Sequence, residues 1–149
     1  MARRNIRERN VLFLCADNSC ASQMAEAIAK HLAPPQTHIF SAGIAPREIH
    51  PTVAEVMREI QVEMSGQHPK ALEAVPMEDI DLIVALGEAN EKWPKFPAKA
   101  RVEHWPIPDP QRAAGKETSS GQMLFRYIRD EIDKKVAALF LDYWRNLAH

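Results

Sequence analysis

The chain has 149 residues and a formal net charge of −1, which suits one domain with a sizeable core and excludes the basic footprint of a nucleic-acid binder. No apolar run approaches the ~18 residues of a membrane span. Met1–Asn10 carries Arg3, Arg4, Arg7 and Arg9 and no apolar stretch, so it does not read as a secretory signal. Residues 1–9 read as a solvated, flexible tail, with an anion-binding arm as the alternative. Two cysteines and no CxxC pair point to a reducing, cytoplasmic setting.

Val11–Leu14 is a continuous apolar run and predicts a buried strand. Cys15–Ser19 is a loop of small and polar residues, in which Asn18 and Ser19 suit tight turns and left-handed backbone. A helical pattern follows, with Met24, Ile28 and Leu32 on one face. Strand, tight loop and helix together aim backbone N–H groups at an anion. A cysteine at the end of that strand feels the partial positive charge of the helix. The thiol pKa is therefore expected to fall from roughly 8.5 toward roughly 3.5–7.5. An inert, buried cysteine is the alternative. Ser22 either hydrogen-bonds the thiolate or caps the helix.

Thr37–Ala42 predicts a second strand, ending at Gly43. Pro51 opens a helix through Ile60, with Val53, Val56, Met57 and Ile60 inward. Leu82–Leu86 reads as a buried parallel strand. Ala89–Lys99, broken by Pro94 and Pro97, reads as a loop or broken helix. Arg101–Trp105 is a short fourth strand, and Pro106–Gly121 a long surface loop. From about Gln122 the pattern is strongly helical: Leu124, Ile128, Ile132, Val136 and Phe140 recur every four residues, widened by Leu139, Tyr143 and Leu147. Alternating strands and helices imply an α/β fold with a parallel sheet covered on both faces. Ligands bind such sheets beyond the carboxyl ends of the strands. Cys15, Ser41, Gly87 and Asp109 follow or end the four strands and fall at that rim.

The stretch Cys15-Ala16-Asp17-Asn18-Ser19-Cys20-Ala21-Ser22-Gln23-Met24-Ala25-Glu26 resembles the active-site loop of the low-molecular-weight protein-tyrosine phosphatases and, more closely, of the related thioredoxin-coupled arsenate reductases. The resemblance continues through Ser41-Ala42-Gly43-Ile44, His50-Pro51, Glu103-His104-Trp105, Asp109-Pro110 and Arg129-Asp130-Glu131-Ile132, nearly the whole chain. It implies a single domain over 1–149, with three layers and four parallel strands in the order 2-1-3-4. It implies Cys15 as nucleophile and Asp109 as general acid. The backbone of Ala16, Asp17, Asn18, Ser19, Cys20, Ala21 and Ser22 then cradles an oxyanion, and Asn18 and Ser41 support the loop. Phosphate, arsenate or a phosphorylated substrate is the implied ligand. An external thiol or thioredoxin-type reductant is the implied partner of a reductase, and no cofactor is implied.

The chain departs from the family pattern in specific places. The signature places an arginine six positions after the cysteine, and that position is Ala21. The missing guanidinium would grip two oxyanion oxygens at once. The reductases carry two further redox cysteines; the matching positions hold Gly87 and Trp93, so a redox route is left to external thiols or to Cys20. The phosphatases carry aromatic residues after Asp-Pro, where this chain has Gln111-Arg112. Trp93 or Trp105 is either a substitute aromatic wall or a packing residue. Gly115-Lys116 lacks the rest of a nucleotide-binding P-loop, and the six histidines show no metal-ligand spacing. Three readings stand: an arsenate reductase-like protein with a Cys nucleophile, a phosphatase on phosphotyrosine or small phosphoesters, and a member that binds an oxyanion or a partner without turnover.

Overall fold

The computed structural model describes residues 8–87, 93–108 and 119–147, with side chains described at 8–87, 93–108 and 122–142. Four strands form one parallel sheet: β1 (Arg9–Cys15), β2 (Thr37–Gly43), β3 (Leu82–Leu86) and β4 (Arg101–Trp105). Their spatial order is β2-β1-β3-β4, so β1 and β3 are central and carry the most continuous apolar runs. β1 pairs with β2 from Arg9↔Thr37 to Cys15↔Gly43. Cys15 and Gly43 thus end side by side at the carboxyl rim.

Alternation along β1 divides the core into two. Val11, Phe13 and Cys15 face a cluster built with α1 (Ala21–Leu32), α2 (Pro51–Arg58) and α3 (Ser119–Leu147). Leu12 and Leu14 face the other side, covered by two short 3-10 helices, Leu72–Ala74 and Met77–Asp79, and by Trp93, Phe96 and Ala100. α1 packs beside β1 and β2 and against α3. Its nearly all-round burial from Ala21 to Ala29 explains its alanine-rich sequence, since small side chains allow close approach to sheet and helix. Leu32 departs from the expected inward stripe: it is the last residue of α1 and is exposed. Ile60, expected inside α2, lies just beyond its end and packs against the same core from outside.

α3 begins at Ser119, so the expected surface loop is shorter than 106–121. Ile128, Ile132, Val136, Leu139 and Phe140 are buried along it, and Leu124 is partly buried. Tyr143 and Leu147 fall outside the described side chains. Arg129 locks this helix to the end of α2: its Nη1 donates to Val56 O (2.8 Å) and to Glu59 Oε1 (2.7 Å). Arg126 grips the same carboxylate. These two guanidinium groups hold the Glu59 carboxyl down at about 2, with Arg126 the larger contributor. Arg9 is already in β1 and pairs with Thr37, so the expected tail over residues 1–9 is shortened at that end. Among the described residues no helix is long and apolar enough to cross a membrane, and no group of three or more His, Cys, Asp or Glu is placed to hold a metal.

β2 and the cysteine loop touch at Gly43. A Cβ there would lie 2.6 Å from both Asn18 N and Asp17 C, both backbone atoms. Gly43→Ala should therefore push the loop off the strand and cost about 1–3 kcal/mol of stability. Urea unfolding checks this, and an unchanged midpoint would mean that the contact carries no energy.

Candidate active site

The site lies where β1 runs into α1. Cys15 ends the strand, residues 16–20 turn, and Ala21 opens the helix. Asn18 has φ 53°, the left-handed region that asparagine tolerates better than most residues. That conformation turns its backbone N–H back toward Cys15, where it donates to Sγ at 3.2 Å. Ser22 Oγ, on the first turn of α1, lies 2.8 Å from the same sulfur.

The Asn18 side chain is buried and fully engaged. Its Nδ2 donates to Ser22 Oγ (2.8 Å) and to Ser41 Oγ (3.1 Å). Its Oδ1 accepts from Gln23 Nε2 (2.9 Å) and from the Lys70 backbone N–H (2.8 Å). Ser41 in turn donates to Glu26, and Glu26 pairs with Lys30 (2.7 Å) and Lys70 (3.6 Å). The proton count gives the chain a direction. The Ser41 proton is spent on Glu26, both Asn18 N–H bonds go to hydroxyl oxygens, and Ser22 and the sulfur share the last hydrogen bond. Glu26, Gln23 and Lys70 carry this relay, and sequence reasoning gave them no role. The signal for Glu26 and Gln23 was present: polar residues on the buried face of a helix need partners. Lys70 lies in an irregular segment, and nothing local marks it.

A second set of bonds fastens the loop from its open side. The backbone N–H groups of Ile44, Ala45, Arg47 and His50 donate to the carbonyls of Cys15, Ala16, Asp17 and Ser19. The segment after β2 thus runs along the loop. His50 then opens α2, its Nδ1 accepting from Thr52 N, and stacks on Phe125 with ring centroids 4.8 Å apart.

Cys15, Asn18, Ser22 and Ser41 come together, while Asp109, the expected general acid, and Arg112 lie outside the described residues. Ala21 is buried in the first turn of α1 and brings no charge. Cys20 is buried as a thiol at the helix N-cap, like Cys15 nearby in the loop. Gly87 follows β3 at the rim. Trp105 packs against Phe13 with centroids 6.0 Å apart, and Trp93 joins the core on the other face and meets His104 edge-on. Both pack into the core.

The expected depression of the Cys15 thiol does not hold. Burial pushes it above its ordinary value, and the Asp17 carboxylate adds to the rise. The Ser22 hydroxyl and the backbone N–H groups of Ser22 and Asn18 oppose it but do not win. With no guanidinium at position 21, the hydrogen bonds alone do not offset the loss of water around a thiolate.

The low-molecular-weight phosphotyrosine protein phosphatase family model matches residues 10–148. The arsenate reductase of Bacillus subtilis strain 168 is 35% identical over 127 residues, covering 85% of this chain and 91% of that protein. A solved arsenate reductase in its phosphate-binding state superposes with a TM-score of 0.74 at 28% identity, covering 90% of this chain and 98% of that one. A thioredoxin-dependent arsenate reductase of Corynebacterium glutamicum superposes at 0.71 with 27% identity, covering 97% of this chain and 64% of that one.

The raised thiol has a measurable sign. The folded chain keeps the Cys15 proton where an unfolded chain loses it. Its contribution to stability is therefore present below the ordinary thiol range and is lost as pH rises through the folded value. Iodoacetamide labelling of Cys15 against pH should give a midpoint above that of a small free thiol, and Ser22→Ala should move it higher still. A midpoint below the free thiol would show that the loop dipoles outweigh burial.

Proposed function

Because this chain belongs to the low-molecular-weight phosphotyrosine protein phosphatase family, we propose that it handles an oxyanion at Cys15 in the manner of its arsenate reductase relatives. The observation that carries this reading is the sulfur itself. Cys15 Sγ is held at the mouth of a helix by Ser22 Oγ and the Asn18 N–H, at the end of a buried hydrogen-bond relay. In this reading arsenate, phosphate or a phosphorylated group sits over the loop. The backbone N–H groups between Ala16 and Ser22 that are not already bonded within the loop share its charge. Cys15, once deprotonated, attacks the central atom, and Asp109 gives a proton to the departing oxygen. Ser22 steadies the thiolate before attack and again when the covalent bond breaks.

A reductase must also move two electrons. With Gly87 and Trp93 at the positions of the redox cysteines, Cys20 is the thiol left in the chain. Reduction of arsenic by two electrons would leave a Cys15–Cys20 disulfide, restored by an external thiol or a thioredoxin-type reductant. A phosphatase needs no such step. A third reading, a member that binds an oxyanion or partner without turnover, draws support from the buried, uncharged Ala21 and the raised thiol.

Restoring the cation separates these readings. Ala21→Arg should raise aryl-phosphate hydrolysis by on the order of 10²–10⁴ over the parent, since the guanidinium acts on the transition-state charge. Helix formation should not suffer, because Arg and Ala both rank high in propensity. Steady-state assays of the parent, Ala21→Arg, and Ala21→Arg with Cys15→Ser check it. Arsenate reduction with added thiols, run beside them, tests the redox reading. A folded arginine variant that binds phosphate without exceeding the Cys15→Ser control would replace catalysis with the binding-only reading, and one that binds none would remove the oxyanion and leave a non-catalytic partner-binding member.

A further inference from the structure

Two loop positions weaken this site for a fully charged oxyanion, and only one of them is an omission. Ala21 withholds a cation, whereas Asp17 adds an anion. The Asp17 carboxylate is built in: Oδ1 accepts from Ser19 Oγ at 2.8 Å and from the Ser19 backbone N–H at 3.2 Å. One N–H of the cradle is therefore already taken by the chain's own carboxylate. The main chain of Asp17 is pinned as well. Its carbonyl accepts from Arg47 N at 2.9 Å, and its carbonyl carbon lies against Gly43 with no room even for a Cβ. The side chain thus has little freedom to retreat by moving the backbone.

We propose that Asp17 makes the loop a charge filter, so that the site takes oxyacids in their singly charged, hydrogen-bearing form and disfavours the dianion. The inference rests on the oxyanion reading of the loop. Three observations support it: the committed Ser19 N–H, the missing guanidinium at position 21, and the absence among the described residues of any Lys or Arg ion-paired with Asp17. The carboxylate's field also reaches the reacting atom, since it raises the Cys15 thiol. The other charged or titratable groups around the loop do not remove this charge. Behind it, Glu26 is matched by Lys30 and Lys70. On the segment laid against it, Arg47 and Glu48 are exposed and opposite in sign, and His50 is tied to Thr52 and Phe125. A singly charged ligand suffers less repulsion from Asp17, and its remaining O–H can donate to that carboxylate.

Asp17→Asn is the informative change, because it keeps the acceptor for Ser19 and removes only the charge. Inorganic phosphate is the probe, with calorimetry below and above its second ionisation. The wild-type chain should bind more tightly below it. Asp17→Asn should gain roughly tenfold for the dianion and lose or reverse that preference. His50 is common to both proteins, so its contribution cancels in the comparison. Asp17→Ser should shift in the same direction, and labelling of Cys15 should move to lower pH in both variants. Superimposable profiles in wild type and variants, or a wild-type preference for the dianion, would overturn the charge filter and leave the oxyanion reading standing. No phosphate binding by any of the three proteins in either form would overturn both.

Discussion

The structure depends on the side chain of Asn18. One amide group ties the sulfur-bearing loop to three other parts of the chain: the first turn of α1 through Ser22 and Gln23, the end of β2 through Ser41, and the irregular segment at Lys70. Each of its hydrogen-bonding positions has a partner, and it is buried. An unfilled position would cost roughly 1–3 kcal/mol, so the network holds together only when complete. The left-handed backbone at this residue is part of the same bargain. It is tolerable for asparagine, and it turns the main-chain N–H toward Cys15.

Around this anchor the fold supplies two rigid supports. β1 and β2 end in register, so Cys15 and Gly43 are neighbours at the rim, and the absence of a side chain at Gly43 lets the loop lie against β2. The segment after β2 then binds the loop carbonyls in order, before α2 begins. The loop is therefore a third layer of backbone hydrogen bonding laid across the strand ends. Its shape is over-determined, which allows Cys15 to sit buried beside donors that do not collapse onto it.

The electrostatics are less favourable than the geometry. Family membership and the arsenate reductase relatives point to oxyanion chemistry, yet Ala21 brings no charge to the first turn of α1 and the Asp17 carboxylate takes the Ser19 N–H. Burial then dominates the thiol, because desolvation acts on a charge at any position, while the compensating donors here are few and neutral. The positive charge nearby, on Lys30 and Lys70, serves Glu26 and the proton direction of the relay. Shape and charge have thus been set separately at this site.

How much of this was legible in the sequence follows the range of the physics. β3 and β4 match their predicted bounds, β1, β2, α2 and α3 lie near theirs, and the loop at Cys15 stands where expected, because hydrophobic periodicity and strand–loop–helix punctuation are local. The order 2-1-3-4 came from the resemblance, and the sheet has it. Leu32 missed the core, because a helical stripe gives a direction but not how far along the helix its packing partners extend. The roles of Glu26, Gln23 and Lys70 were not legible, since a buried polar relay exists only once distant segments meet. The direction of the Cys15 shift failed for the same reason. A helix dipole can be read from a motif, but the burial that raises the thiol is a property of the packed chain.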